Sequence, residues 1–478
     1  METRRQNRRP PGQKPPRGNN HPGRQGKRGA AHSGSRDKGT RIENGPILEL
    51  VIDHVGGYGD GVADWDGRQV FVPHTAPGDL VRARPVAEHG DRLTADAIEL
   101  LQHGPGRAEP PCPHFGPCGG CTLQHLSDPV YDAWKHEQVA TALGRQSLDP
   151  AVVDSVIRTP PATRRRAVLS VRRLRSGVVA GFYERGSARI VDLKSCSILH
   201  PDLAALVDPL RIMAADLLDG VGDEASLAMT RLDDGVEIVI GRPGNPTLAD
   251  RERLAAFAEA HDLARLGWRK SEKSGGGQAE DGEVEPLAHR REGIVTLGGV
   301  PVRAPGHAFL QASVEGQDIL TSRVCRAVGE ADSVIDLFCG IGTFTFPLAV
   351  GRAGMKLRAF DSEPSAIAAL DAAARRSGLA VRIGAAVRNL NRDPVAGDEL
   401  RGVEAVVLDP PRAGARAQAE ALASSGVARI AYVSCNPSSF ARDARTLVDG
   451  GYVLRTVTPV DQFVWSPHLE LVGVFERG

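Results

Sequence analysis

Four strand ends and one late carboxylate, all in the last third of the chain, carry side chains able to do chemistry together. In Arg429–Phe440, RIAYVSCNPSSF, the apolar run Ile430–Val433 reads as a short buried strand. Cys435 follows it, and Asn436-Pro437 with Ser438 and Ser439 opens a helix. A cysteine between a strand end and a helix N-terminus is expected to have a lowered thiol pKa and to act as a thiolate nucleophile. Asp409 stands in DPPR after the strand Ala405–Leu408, and Asp361 ends the strand Leu357–Phe360. A glycine turn, FCGIG with Gly340 and Gly342, follows Val334–Leu337. Glu470 opens the last strand, Leu469–Phe475, which is expected to lie antiparallel to Tyr452–Val457. A carboxylate there is placed to serve as a general base.

What positions these groups is the alternation of strand and helix patterns, which predicts a doubly wound parallel sheet. Such a sheet delivers its strand C-termini to one edge, beside the switch in strand order where ligands bind. The glycine turn, Asp361, Asp409 and Cys435 therefore converge on one cleft. The turn is no phosphate fingerprint: G-x-G-x-x-G is incomplete and no lysine holds a P-loop position. Asp361 suits ribose hydroxyls, so a nucleoside without a long phosphate chain fits, and S-adenosylmethionine is the expected ligand. Arg412 fills the place where exocyclic-amine methylases carry a base-stacking aromatic, which argues against that class. A cysteine, a methyl donor and a carboxylate in one cleft match the demands of methylating carbon 5 of a uracil in unstacked RNA.

Of the seven cysteines, three form C-x5-C-x2-C at Cys112, Cys118 and Cys121, with Cys196 the candidate fourth thiolate. Four such sulfurs suit an iron–sulfur cluster or a closed zinc site, in which His114 is able to replace one sulfur. This usage is no secreted disulfide framework, and no apolar run or signal core points to a membrane, so a cytoplasmic protein is expected. The zero net charge hides an asymmetry. Residues 1–41 hold 12 Lys/Arg against 2 Asp/Glu, leaving 47 against 57 for the remainder.

The expected organisation is multidomain. A disordered basic tail (1–45) precedes an OB-like β-barrel of five short strands (46–104). A central α+β region with the cysteines (105–300) has an amphipathic helix at Tyr131–Leu143 and a flexible polar loop at 270–286. The α/β domain of the cleft spans 301–478. Arg164, Arg165 and Arg166 start a strand-like run that is expected to face RNA phosphates.

The chain resembles the bacterial RNA uracil-5-methyltransferases, specifically the TRAM-domain, iron–sulfur members that act on 23S ribosomal RNA. The likeness covers residues 47–478, apart from the 270–286 loop, and rests on the cysteine pattern, F-x-Q, DLFCGxG, LDPPRxG, SCNP and the final HxE. It implies a class I, Rossmann-like methyltransferase domain, a TRAM barrel at 47–101, Cys435 as nucleophile and Glu470 as base. Gln311, Phe338, Thr343, Asp361, Asn389 and Asp409 match donor-binding positions, and Gly340 lies in the same turn. Cys112, Cys118, Cys121 and Cys196 match the ligands of a 4Fe-4S cluster that supports folding and RNA binding, and Arg164–Arg166 gain an RNA-contacting role. Ser313 and Thr343 stand where the family often has Asn, Asp361 where Glu is common, and Val464 where Pro is frequent. A monomer acting on ribosomal RNA is expected. The alternatives are the same reaction on tRNA, or a non-catalytic RNA-binding or ribosome assembly factor.

Overall fold

The strand Ala405–Leu408, AVVL, is buried at every position, as a run without a polar face must be when covered on both sides. The computed structural model describes residues 40–271, 283–306 and 308–478, and in it this strand is the fourth of eight. From one edge the order is Ile383–Val387, Lys356–Asp361, Ser333–Leu337, Ala405–Leu408, Arg429–Ser434, Glu470–Arg477, Tyr452–Asp461 and Ile157–Arg158. The first five run parallel, and Glu470–Arg477 is antiparallel to both neighbours. The chain winds outward from Ser333–Leu337, then returns to its other side with Ala405–Leu408. The strand order therefore reverses there, which opens a crevice at the C-terminal ends. Alternate residues feed two cores: Val334, Val407 and Val433 on one face, Ile335, Val406 and Tyr432 on the other.

Residues distant in sequence complete this domain. Helix Asp128–Gly144 sends Val139 and Leu143 into the second core, and Ile157 pairs with Val460 on the outer strand. The hairpin Ile294–Leu297/Val300–Arg303 adds four residues to the first core. The expected boundary at 300/301 is thus revised on both sides, because contiguity in sequence does not report contact in space.

The N-terminal sheet has six strands between Leu48 and Gln102, plus Thr40–Arg41, which pair with Glu88 and Ala87. There are thus six strands in place of the five expected there, because Leu48–Val51 and His54–Val55 are separate: Val51 pairs with Leu80 whereas His54 pairs with Val62. Asp66-Gly67, both at positive φ, join Trp65 to Arg68 in a two-residue hairpin turn. The tail lies outside the described residues up to position 39, and its expected end at 45 gives way to this sheet. The central sheet runs Ile190–Asp192, Gly177–Tyr183, Arg166–Leu174, Glu224–Leu232, Gly235–Arg242, Arg265–Lys270, Val284–His289. Helices Val207–Leu217 and Leu248–Ala260 pack onto its core. The ends of the expected 270–286 loop, Lys270 and Val284–Pro286, are strand; residues 272–282 lie outside the described residues.

Candidate active site

Cys435 leaves the strand Arg429–Ser434 where the next residue, Asn436, caps helix Pro437–Asp449 by accepting from the Ser438 amide at 3.1 Å. Asn436 Nδ2 and Ser439 Oγ also donate to the Arg412 carbonyl, at 3.0 and 3.1 Å, which ties the cysteine turn to the Asp409–Arg412 loop. The half-buried Cys435 faces a cavity of about 930 Å3. Gln311, Phe338, Gly340, Asp361, Asn389 and Asp409 line the same cavity, as does Glu470. Thr343 is absent from this wall.

The electrostatics of the thiol differ from the expectation. Burial pushes Cys435 up to about 11, the charges of Glu470 and Asp409 add to the rise, and Arg412 opposes them. The helix N-terminus does not outweigh burial beside two carboxyls, so the free enzyme carries a thiol at neutral pH. Alkylation of Cys435 by iodoacetamide should accordingly rise about tenfold per pH unit from pH 7 to 9. A plateau by pH 8 would contradict this raised value.

The carboxyls are also displaced. Burial, then the charge of Asp361, raises Asp409 to about 7, while Gln311 Nε2 donates to its Oδ2 at 3.2 Å. Burial and the Asp409 charge hold Glu470, 5 % exposed, well above the usual carboxylate range. Gln462 links the two sides: its amide donates to Gln311 Oε1 at 2.7 Å and to Glu470, and its Oε1 accepts from the Ala312 amide at 3.0 Å. Sequence reasoning missed Gln462, since an isolated glutamine between a strand and a loop carries no pattern.

At the glycine turn, Asp361 accepts from the amides of Gly340 and Glu363, both at 2.9 Å, so it shapes the turn itself. Phe338 holds a left-handed backbone (φ 62°) as the chain enters that turn, a strained state for an aromatic residue. Gly342 (φ 100°) has no room for a side chain, because a Cβ would meet the Phe346 ring at 2.7 Å. Asp336 was also missed: it is fully buried beneath the turn, raised to about 7 chiefly by burial, and accepts from Thr345 Oγ1 at 2.6 Å.

The three arginines do not form one exposed strip. Arg165 is 2 % exposed and donates to the Gln311 carbonyl and to Gln317, at 2.9 and 2.8 Å. Arg166 donates to the Leu310 carbonyl at 2.7 Å and stacks on Phe309; Arg164 lies over Phe463. The expectation for Arg165 is therefore corrected: its guanidinium fixes the FLQA segment against the central region. Phe309, 69 % exposed, was also unforeseen as a cavity residue.

A second cavity, of about 420 Å3, shares Phe309, Gln311 and Glu470 with the first. Cys112, Cys118, Cys121 and Cys196 all line it, and Cys121 feels the charges of the other three. The donor set fits a four-thiolate group, yet no three or more His, Cys, Asp or Glu among the described residues are arranged to hold a metal ion. His114 Nε2 accepts from the Lys194 amide at 2.9 Å, which engages it elsewhere.

Comparison with known proteins identifies the family. The family model described as tRNA (Uracil-5-)-methyltransferase matches residues 385–477, a span that holds Asn389, Asp409, Cys435 and Glu470. An uncharacterized RNA methyltransferase of Brucella suis is 37% identical over 430 residues, 90% of this chain and 98% of its own. A 23S rRNA (uracil(1939)-C(5))-methyltransferase of Chromohalobacter salexigens is 33% identical over 453 residues, 92% of each chain. The chain belongs to the RNA (uracil-5-)-methyltransferase family. It is an S-adenosylmethionine-dependent RNA (uracil-5-)-methyltransferase. The fold of the RNA (uracil-5-)-methyltransferases extends along most of the chain: the solved tRNA (uracil-54, C5)-methyltransferase of Pyrococcus abyssi superposes with a TM-score of 0.69 at 22% identity, covering 90% of this chain and 100% of that one. No helix among the described residues is long and apolar enough to cross a membrane.

Proposed function

We propose that the chain methylates carbon 5 of one uridine in 23S ribosomal RNA, with Cys435 as nucleophile and Glu470 as base. The observation that carries the roles is that both side chains line one cavity with Gln311, Asp361 and Asp409. The ribosomal target is supported by the 33% identity to a 23S rRNA enzyme across 92% of both chains. The methyl donor supplies an electrophilic methyl group, and Gln311, Phe338, Gly340, Asp361, Asn389 and Asp409 would hold it.

In the proposed reaction, the Cys435 sulfur, once deprotonated, bonds to C6 of the flipped uracil. The C5=C6 electron pair moves toward the C4 carbonyl oxygen, giving an enolate. Its C5 takes the methyl group as the sulfonium–methyl bond breaks and S-adenosylhomocysteine leaves. Glu470, in its ionised form, then removes the C5 proton, the C5=C6 bond returns, and Cys435 departs as a thiolate. One proton is released per methyl transferred. Asp409 and Gln311 line the same cavity, where the Asp409 charge acts on both Cys435 and Glu470.

The test is methyl transfer from labelled S-adenosylmethionine to unmodified transcripts. Incorporation into 23S ribosomal RNA, mapped to one uridine, is the expected result. Incorporation into tRNA transcripts alone would move the target to tRNA, the reading that the family model's description favours.

The four thiols on the second cavity support a 4Fe-4S cluster held by Cys112, Cys118, Cys121 and Cys196. The cluster would cross-link the loop at 112–121 to the central region and leave the methyl chemistry untouched. Anaerobic preparation should give a brown protein with iron and sulfide in equal amounts, and Cys196→Ser should lose both along with stability. Colourless protein with stoichiometric zinc would replace the cluster with a structural zinc site. The N-terminal sheet is read as a TRAM domain adding RNA affinity.

A further inference from the structure

Glu470 sits at the end of a loop, residues 462–469, that connects the two antiparallel strands Tyr452–Asp461 and Glu470–Arg477. Glu470 opens its strand opposite Val460, so its position depends on the path of the loop that leads into it, and part of what holds that loop comes from helix Asp128–Gly144. Tyr131 and Lys135 are one turn apart on its buried face and are both essentially unexposed. Lys135 Nζ donates to Asp461 Oδ1 at 2.9 Å and to the His468 carbonyl, two residues before Glu470. Tyr131 donates its hydroxyl proton to Asp461 Oδ2 and accepts from the Trp465 amide at 2.9 Å. Asp461 Oδ1 also accepts from the Phe463 amide at 3.2 Å. Three backbone groups of the loop, at 463, 465 and 468, are thus held by one buried triad.

The side chains of the Lys135–Asp461 pair are both 0 % exposed. Removing two charges from water costs about as much as their attraction returns, and an apolar pair of the same volume is often as stable. Bare stability is therefore a poor account of this pair, whereas a loop with one defined geometry is a good one. The triad also couples helix 128–144, which the sequence assigned to the central region, to the base. We infer that Tyr131, Lys135 and Asp461 are positioning residues that set the Glu470 carboxylate for removal of the C5 proton. This rests on the reading of Glu470 as base.

The experiment uses the full chain, S-adenosylmethionine and a 23S ribosomal RNA transcript, with Lys135→Met, Tyr131→Phe and Lys135→Met/Asp461→Leu. The double variant replaces the pair by apolar groups, and Tyr131→Phe keeps all of the ring packing, so folding is retained in at least one of them. A misplaced base slows the last step only. The expected result is a fall in kcat of about 10- to 100-fold, unchanged KM for the donor, and accumulation of methylated covalent protein–RNA adduct on a denaturing gel. Wild-type kcat, or slow transfer without adduct, in Tyr131→Phe or the double variant overturns the inference. Glu470→Gln run in parallel separates the two claims. Adduct in Glu470→Gln but not in the triad variants sinks the triad alone; none in either sinks the base assignment as well.

Discussion

Cys435→Ala abolishes methyl transfer to RNA while leaving donor binding intact. The expected loss is on the order of 10^4- to 10^6-fold, the scale seen when a covalent nucleophile is removed from an otherwise complete site. Without a bond at C6 the C5 carbon of uracil is too weak a nucleophile to take a methyl group, so no slower route replaces the lost one. The proposed donor wall comes from other strands, with Asp361 accepting from the Gly340 and Glu363 amides, so calorimetric binding of S-adenosylmethionine should not change. Cys325→Ala is the control. That cysteine lies on helix Val314–Val328 against the first core, and it should retain activity. Equal loss in both variants would point to general damage, and full activity in Cys435→Ala would remove the covalent route.

Glu470→Gln should stop the reaction one step later. The amide keeps the shape and is still able to accept from Gln462, but it cannot take a proton. Removing a general base costs about 10^2- to 10^4-fold in kcat. The methylated adduct then has no exit, so each enzyme should methylate about one RNA and remain attached to it. Stability should hold, because the substitution removes a carboxyl that burial already disfavours in its charged form. A slow enzyme with free RNA on a denaturing gel would show that proton removal is not Glu470's task.

The sequence carried the sheet edge well because its signals are local. Apolar runs such as Ala405–Leu408 and Ile430–Val433 end in residues that stop a strand, and parallel winding alone then forces Gly340, Asp361, Asp409 and Cys435 to one side. The site's electrostatics were not legible. A thiol at a helix N-terminus reads as acidic until the neighbours are known, and here Asp409 and Glu470 arrive from strands 26 residues before and 35 residues after Cys435. Arg165 misled for a similar reason: a basic run reads as surface, whereas its fate was decided by the carbonyls of a segment 146 residues away. The same distance in sequence hid Lys135 and Tyr131, whose partners lie more than 300 residues on.

The most direct measurement is mass spectrometry of the chain after reaction with S-adenosylmethionine and a 23S ribosomal RNA transcript made with 5-fluorouridine. Fluorine at C5 cannot leave as a proton does, so addition and methylation proceed and elimination fails. The account predicts one modified peptide, containing Cys435 and carrying a methylated fluorouridine nucleotide. Attachment through another cysteine, or no attachment while ordinary uridine RNA is methylated at full rate, would contradict it.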